Sequence, residues 1–295
     1  MRGLPPGPPL VAILEKAMPV IAGHPIFSRF TPQCEGQDFI GSRIRSEFHG
    51  ASLCDVRREG KAPLPPFDEE YFEWIDLLES VDQAQGSYTF VELGAGYGRW
   101  SVRAALAAAQ RGLSPVCLVA VEGEPTHFEW LKLHFADNGL DPSRHTLIRA
   151  AVSDAEGETF FHVGRPAEWY GQCIACTDTG YKVPKMAFWN VLNPLGCVDL
   201  IDFDVQGEEL KCCASDIGSI DAKVKRLHIG THSLEIEAGL RTLLNAHGWK
   251  CLVDYPLAQV NETPYGTFQF VDGVQSWVNP RFSCDLSGSE RLALS

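Results

Sequence analysis

Chemistry is most directly indicated by a glycine-rich turn at residues 92–98, which read ELGAGYG and follow a β-rich run at 88–91. Where a strand is followed by a helix, glycines let the backbone turn sharply and approach a ligand, and the helix N-terminal amides face that ligand. The G-x-G-x-G spacing that begins with Gly94 and Gly96 differs from the G-x-G-x-x-G of dinucleotide-binding turns. Together with Glu92, whose carboxylate would help hold a methionyl ammonium group, the turn is typical of a site for S-adenosylmethionine (SAM).

Two acidic residues follow the next predicted strands and extend the same site. Glu122 comes directly after the apolar run 116–121, and a carboxylate there can accept both hydroxyls of a ribose. Asp154 follows the third predicted strand, 145–152, where a loop would contact adenine. The alternatives are a solvated surface acid for Glu122 and a turn cap for Asp154.

Asp204 and His232 are the candidate catalytic residues. Asp204 closes the predicted strand 198–203, and His232 lies just past the predicted strand 224–229. Ligands of open α/β sheets bind at the carboxyl ends of the strands, so both side chains are expected to face the cleft. Asp204 would orient or deprotonate a substrate hydroxyl, and His232, with an ordinary pKa of about 6.5, would serve as a base. N-capping of the following helix is the alternative for Asp204, and His228 is interpreted as a packing residue.

We expect no metal on the cysteines. Cys173 and Cys176 have the spacing of zinc ligands, but no second cysteine pair or histidine pair follows at a suitable distance. The adjacent Cys212 and Cys213 lie on a predicted helix and are interpreted as small buried side chains. A magnesium ion that bridges Asp204 and a sugar diol is an open variant of the acceptor site.

The elements that must position these residues alternate between strand and helix. Apolar runs bounded by turn residues predict the strands, and helical periodicity predicts the segments between them. Such alternation requires a parallel sheet covered by helices on both faces. Two last strands, 250–255 and 267–271, are expected to close the sheet as an antiparallel hairpin. The other predicted strands are 88–91, 116–121, 145–152, 198–203 and 224–229, with helices at 99–110, 128–138, 208–217 and 233–246.

The first 66 residues differ from the rest in composition. They carry many prolines and glycines and show little sustained periodicity, with short helices predicted at 10–20 and near 39–48. A chain of 295 residues can hold one large α/β domain and an extension. We therefore predict an N-terminal extension over residues 1–66, with a lid as its candidate role, and a SAM-binding domain over residues 67–295.

The charge of the chain limits its expected partners. It has 25 Lys and Arg residues against 38 Asp and Glu residues, a net charge of −13. An acidic surface repels phosphate backbones, so nucleic acid is not an expected substrate. The N-terminal apolar stretch is broken by Glu15, Lys16 and Pro19, which suits neither a secretory signal nor a membrane span. The sequence therefore predicts a cytoplasmic protein with reduced thiols that acts on a small molecule and has no membrane partner.

Four segments resemble, in the same order and spacing, the motifs of the FkbM-type SAM-dependent methyltransferases: 92–101, 119–125, 150–154 and 199–209. The resemblance extends over residues 68–280. It implies the class I methyltransferase fold, a doubly wound, mostly parallel sheet of seven strands whose last strand is antiparallel. It also implies methyl transfer to hydroxyl oxygens of sugars, polyketides and other secondary metabolites.

The fourth-strand motif departs from the family pattern K-x-D-x-E-G-x-E. Asp204, Gly207 and Glu209 match it, whereas Asp202 replaces the lysine and Gln206 the first glutamate. Cofactor binding therefore carries over from the resemblance, but the catalytic roles do not. The sequence predicts methyl transfer from SAM to a hydroxyl oxygen, with two rivals, a nicotinamide-dependent oxidoreductase and a non-catalytic SAM-binding module. No motif specifies the acceptor or the oligomeric state.

Overall fold

Strands and helices alternate through most of the chain in the computed structural model. The structure describes residues 23–33, 38–48, 64–161, 164–168, 170–171, 173–174 and 180–282. In chain order the strands are β1 (Tyr88–Leu93), β2 (Val116–Val121), β3 (Thr146–Ile148), β4 (Ala151–Ser153), β5 (Gly157–Phe161), β6 (Tyr181–Ala187), β7 (Leu200–Phe203), β8 (Arg226–Thr231), β9 (Lys250–Tyr255), β10 (Val260–Thr263), β11 (Gly266–Gln269) and β12 (Gly273–Val278). The helices are α1 (Tyr71–Gln83), α2 (Arg99–Gln110), α3 (Pro125–Asp137), α4 (Phe188–Leu192), α5 (Glu209–Ser215), α6 (Ile217–Lys223) and α7 (Leu234–Ala246).

Seven of the strands form one sheet, in the order β3-β2-β1-β7-β8-β12-β9. The first five in that order are parallel, and β12 runs antiparallel between β8 and β9. The chain builds outward from β1 on one side and from β7 on the other, so the strand order reverses between them. In open α/β sheets this reversal creates a crevice at the carboxyl ends of the strands. The predicted doubly wound α/β fold is confirmed.

Apolar side chains pack against both faces of this sheet. Successive residues of β1, Phe90 and Val91, are fully buried and belong to clusters on opposite faces. Ala104 of α2 packs in the first cluster, and Leu240 of α7 packs in the second. A strand covered on both faces must be apolar at consecutive positions, which explains why the sequence shows apolar runs here rather than alternation.

The closing strands differ from the prediction. Segment 250–255 is β9, but its partner in the sheet is β12; segment 267–271 falls mostly in β11, which pairs with β10 as a separate hairpin. The choice of 267–271 as the last strand was wrong because β12 contains Gln275 and Ser276, which interrupt its apolar pattern. Both residues are buried, and hydrogen bonds inside the protein satisfy their side chains.

The predicted third strand, 145–152, is divided between two sheets. β3 extends the main sheet, while β4 joins a small sheet of order β4-β6-β5. The chain leaves the main sheet between Ile148, whose carbonyl accepts the Glu122 amide, and Ala150, whose amide donates to the Glu122 carbonyl. The small sheet therefore lies directly beside the end of β2.

Described parts of the N-terminal extension pack against α1, α2 and α3. The Asp38 carboxylate accepts a hydrogen bond from Arg103 Nε at 3.0 Å. The Arg103 guanidinium lies 4.2 Å from the ring centroids of both Trp74 and Trp100. An arginine stacked between two aromatic rings and paired with a carboxylate attaches the extension to the domain.

Of the two helices predicted in the extension, one falls on residues that the structure describes and one does not. Near 39–48 the structure has a short 3-10 helix, Ser46–Phe48, in place of the predicted α-helix. The helix predicted at 10–20 lies outside the described residues. Among the residues that the structure describes, no helix combines the length and the apolar character that a membrane crossing requires.

Candidate active site

A cavity of about 430 Å³ lies at the carboxyl ends of β1, β2 and β7. It brings together three of the predicted site residues, Gly94, Glu122 and Asp204. Apolar groups from the small sheet and its neighbours complete the wall, among them Val152 and Phe161. The cavity is thus polar where strands of the main sheet end and apolar where the small sheet covers it.

Close backbone contacts shape the glycine turn. Gly94 has φ +83°, and a Cβ atom there would lie 1.8 Å from the carbonyl oxygen of Asp204. Gly96 has φ +53°, and its Cβ would lie 3.1 Å from Cδ1 of the Tyr170 ring. Gly94 is therefore required by the approach of the β1 and β7 ends, and Gly96 by an aromatic side chain that lines the cavity.

Glu92 is buried at the end of β1 and binds the first turn of α2. Its carboxylate accepts the amides of Trp100 at 3.1 Å and Ser101 at 2.9 Å, and the Ser101 hydroxyl at 2.5 Å. Burial raises the pKa of Glu92 to about 8, although the hydrogen bonds from Ser101 act in the opposite direction. Glu92 thus holds the glycine turn against α2, and its predicted contact with an ammonium group stays a prediction.

Glu122 connects the glycine turn to the end of β2. Oε2 accepts the Gly96 amide at 2.6 Å, and Oε1 accepts the Glu124 amide at 2.6 Å. Burial raises the pKa of Glu122 to about 8, and these two amides oppose the shift. Each oxygen of the Glu122 carboxyl group keeps hydrogen-bonding capacity for a hydroxyl of a ribose. Ribose binding by Glu122 stays a prediction, and the position of Glu122 at the cavity suits that role.

Two other acidic residues near the cavity, Glu124 and Asp154, make their hydrogen bonds outside it. The Glu124 carboxylate accepts the His127 amide at 2.5 Å, as the N-cap of α3, and the Tyr181 hydroxyl at 2.9 Å. Asp154 is exposed, accepts the Ser153 hydroxyl at 3.1 Å, and is not among the residues that line the cavity. Its contact with adenine stays a prediction.

Asp204 and His232 lie together at the ends of adjacent strands β7 and β8. His232 Nε2 is 3.3 Å from Asp204 Oδ1, and His232 Nδ1 is 2.8 Å from Oε1 of the fully buried Glu209. Burial by itself lowers the pKa of His232, but hydrogen bonds and charge from Asp204 and Glu209 outweigh it and raise the pKa to about 10. The ordinary pKa assumed from the sequence was therefore wrong, because Glu209 lies behind the ring. At neutral pH His232 is an imidazolium and has no free lone pair to accept a proton.

Gln206 was missed as a site residue, although the sequence comparison singled it out as a departure. It adopts φ +52°, which is uncommon for a residue other than glycine. Its Nε2 donates to Asp204 Oδ1 at 2.7 Å, and it lines the cavity. Asp204 is therefore oriented by two neighbours, while 55% of its side chain remains exposed.

Phe48 of the extension reaches the same site through Tyr170. The Tyr170 hydroxyl donates to the Phe48 carbonyl, and the Tyr170 ring stacks on His127 with centroids 4.3 Å apart. The fully buried Phe48 ring stacks on Tyr97 of the glycine turn, with centroids 5.1 Å apart. No sequence signal marked Phe48, because a lone aromatic residue in a proline-rich segment predicts no specific contact.

The structure describes three of the four cysteines that the sequence analysis considered as pairs. Cys212 and Cys213 are free and fully buried, as predicted, and burial raises the pKa of both thiols. Cys173 is described, but Cys176 lies outside the described residues, so the pair is not described.

Comparison with known proteins identifies the class of protein to which the chain belongs. The chain matches no family model. A protein of Jannaschia sp. (strain CCS1), named by class only as a methyltransferase, is 30% identical over 258 residues, which cover 82% of this chain and 91% of that protein.

Solved structures show weaker likeness. Precorrin-6y C5,15-methyltransferase from Geobacter metallireducens GS-15 has 13% identity and a TM-score of 0.41, covering 70% of this chain and 85% of its own. Methyltransferase FkbM from Methylobacillus flagellatus KT has 14% identity and a TM-score of 0.42, covering 67% and 45%. An rRNA methylase from Streptococcus thermophilus has 12% identity and a TM-score of 0.42, covering 71% and 95%. On the strength of the Jannaschia relative, the chain belongs to the methyltransferases.

Proposed function

We propose that this methyltransferase transfers a methyl group from SAM to a hydroxyl oxygen of a sugar or related secondary metabolite, in the manner of the FkbM-type enzymes that it resembles. The observation that carries the proposal is the shared cavity of Gly94, Glu122 and Asp204. Gly94, Glu122 and Asp204 lie beside one another at the reversal of strand order, which supports a cofactor site next to a carboxylate.

The residues of the cavity suit SAM. Glu122 offers lone pairs for a ribose, and the apolar wall that includes Val152 and Phe161 suits an adenine ring. The glycine turn supplies backbone with little steric bulk for the methionyl part.

Methyl transfer requires an acceptor oxygen in line with the reacting carbon and a destination for its proton. SAM, when bound, would supply a methyl group on a positively charged sulfonium, and its carbon–sulfur bond would break as the bond to the acceptor oxygen forms. Asp204, half-exposed in the cavity, takes the hydroxyl proton as the general base. His232, already protonated, holds Asp204 in position and does not itself accept the proton.

The same contacts favour a reaction without magnesium. The His232 imidazolium places a positive charge 3.3 Å from Asp204 Oδ1, where a bridging cation would otherwise bind. The net charge of −13 supports a small-molecule acceptor over nucleic acid.

We include in the proposal that the extension acts as a lid, because Phe48 packs on the glycine turn.

Calorimetric titration tests the cofactor assignment. We expect saturable binding of SAM and of S-adenosylhomocysteine and none of NAD. Binding of NAD alone would replace the proposal with the oxidoreductase alternative. Release of S-adenosylhomocysteine from SAM in the presence of a panel of sugars and hydroxylated metabolites tests turnover. Tight SAM binding without turnover on any hydroxyl, amine or carbon acceptor would instead support the non-catalytic module.

A further inference from the structure

A second polar cluster lies inside the fold, beneath the candidate active site. Glu73 of α1, Asp202 of β7 and His228 of β8 line a narrow cavity, too small to hold a water molecule, whose other walls are apolar. One ligand-type atom from each of the three side chains lies within 4.8 Å of the other two. Asp202 and His228 are direct neighbours in the register of β7 and β8, so the sheet itself holds them side by side.

His228 is oriented by a carboxylate on its far side. Its Nδ1 lies 2.7 Å from Asp76 Oδ2, and Asp76 is fixed in turn by Arg226 at 2.6 Å and by the Ser276 hydroxyl. Histidines that bind metals usually donate their other ring nitrogen to a carboxylate in this way, which fixes the ring and its tautomer. The arrangement leaves Nε2 of His228 for the cavity.

The surroundings of the Asp202 carboxylate indicate that this cavity binds a ligand. It is 3% exposed and lines the cavity, yet no N–H or hydroxyl group of the described residues donates to its carboxylate. The carboxyl group of Glu73 faces it, with the ligand-type oxygens of the two acids within 4.8 Å of each other. Two carboxylates that face each other in an apolar cavity repel one another, and a cation bound between them removes that repulsion.

We propose that Glu73, Asp202 and His228 form a binding site for a divalent first-row metal ion. One imidazole nitrogen and two carboxylate oxygens suit Zn²⁺ and Mn²⁺. An ion with bonds of about 2.1 Å in tetrahedral geometry needs ligand atoms about 3.4 Å apart, so small side-chain rotations complete the set.

The ion has a structural role and does not depend on the proposed reaction. Asp202 lies within β7 and Asp204 follows the end of that strand, so the ion lies under the proposed acceptor side of the cleft and outside it. It links α1 to two central strands of the sheet. The site also differs from the magnesium variant considered at Asp204, because it shares no ligand with it.

Manganese binding to the chelator-treated full chain tests the proposal. Mn²⁺ is the probe because it prefers oxygen and nitrogen ligands to the cysteine thiolates. Electron paramagnetic resonance of free Mn²⁺ should show one ion bound per chain. Asp202→Asn and Glu73→Gln should each weaken binding at least tenfold, while Asp204→Asn, the matched control two residues away, should bind as the wild type does.

Thermal unfolding provides the second measurement. Saturating Mn²⁺ should raise the Tm of the wild type and of Asp204→Asn, but not that of Asp202→Asn, because a ligand stabilises only the state that binds it. The proposal is overturned if the folded wild type shows no saturable binding. It is also overturned if binding survives both substitutions unchanged, or if Asp204→Asn alone abolishes it.

Discussion

The two sides of the cleft are held by different kinds of contact. On the proposed cofactor side, at the ends of β1 and β2, Glu92 and Glu122 accept hydrogen bonds mainly from backbone amides. On the proposed acceptor side, at the ends of β7 and β8, Asp204 and His232 are held by other side chains, with Glu209 behind them. Backbone contacts follow from a local motif, whereas side-chain contacts depend on which residues the fold brings together. Substitutions on the two sides should therefore have separable effects.

Substitution of Gly94 should have the largest effect, because Gly94 packs against the Asp204 backbone and so joins the two sides of the cleft. A Cβ atom 1.8 Å from a backbone oxygen cannot be accommodated by a side-chain rotation, so Gly94→Ala should lower the free energy of unfolding by about 3 kcal/mol or more and abolish SAM binding. Gly96→Ala, whose Cβ meets the Tyr170 ring, is the control and should cost less. Chemical denaturation and calorimetry measure both; equal losses for the two variants would remove the special role of Gly94.

Asp204→Asn tests the acceptor side alone. Removal of the general base should lower kcat on the order of a hundredfold or more, while SAM affinity changes by less than about twofold. Glu129→Gln, at an exposed acid of α3 away from the cavity lining, is the control and should leave kcat unchanged. The measurement is release of S-adenosylhomocysteine at saturating SAM. Full activity in Asp204→Asn would exclude this carboxylate as the base.

Glu122→Gln tests the cofactor side alone. Loss of hydrogen bonds from the ribose to a carboxylate should weaken S-adenosylhomocysteine binding by about 1–3 kcal/mol. Glu124→Gln is the control, since Glu124 is occupied by His127 and Tyr181 and should leave the affinity unchanged. Titration calorimetry compares the two variants. An unchanged Kd in a folded Glu122→Gln protein would remove Glu122 from the ribose role.

The smallest effect concerns the stability that His232 contributes as pH changes. Its pKa is about 10 in the folded protein and about 6.5 in the unfolded chain, so folding favours the protonated ring. The stabilisation is complete below pH 6.5 and is lost as the pH rises through 10. The difference in unfolding free energy between the wild type and His232→Gln should therefore shrink between pH 6.5 and 10, by on the order of 1 kcal/mol or more.

His145→Gln is the control for this pH dependence. Burial lowers the pKa of His145 from its ordinary value, so its contribution to stability should be flat above pH 7. Chemical denaturation at several pH values gives both differences. A constant difference for His232→Gln across the range would contradict a charged His232 in the folded protein.

The contrast also explains what the sequence could predict. The order of strands and helices, the glycine turn and the position of Glu122 follow from short apolar runs and one motif. Glu209, in contrast, lies 23 residues from His232, and only the adjacency of β7 and β8 brings them together. The pKa of His232 could not be predicted for this reason. Phe48 was missed likewise, since its partner Tyr170 is 122 residues away.

The place of β12 in the sheet has a consequence for synthesis on the ribosome. β12 is the last strand of the described chain, yet it lies between β8 and β9 and hydrogen-bonds to both. Until it emerges, the nascent chain has two unpaired strand edges, a state that favours pairing with other chains. A chain that ends before Gly273 should therefore aggregate rather than form a smaller stable sheet. Completion of the main sheet during translation therefore waits for residues 273–278.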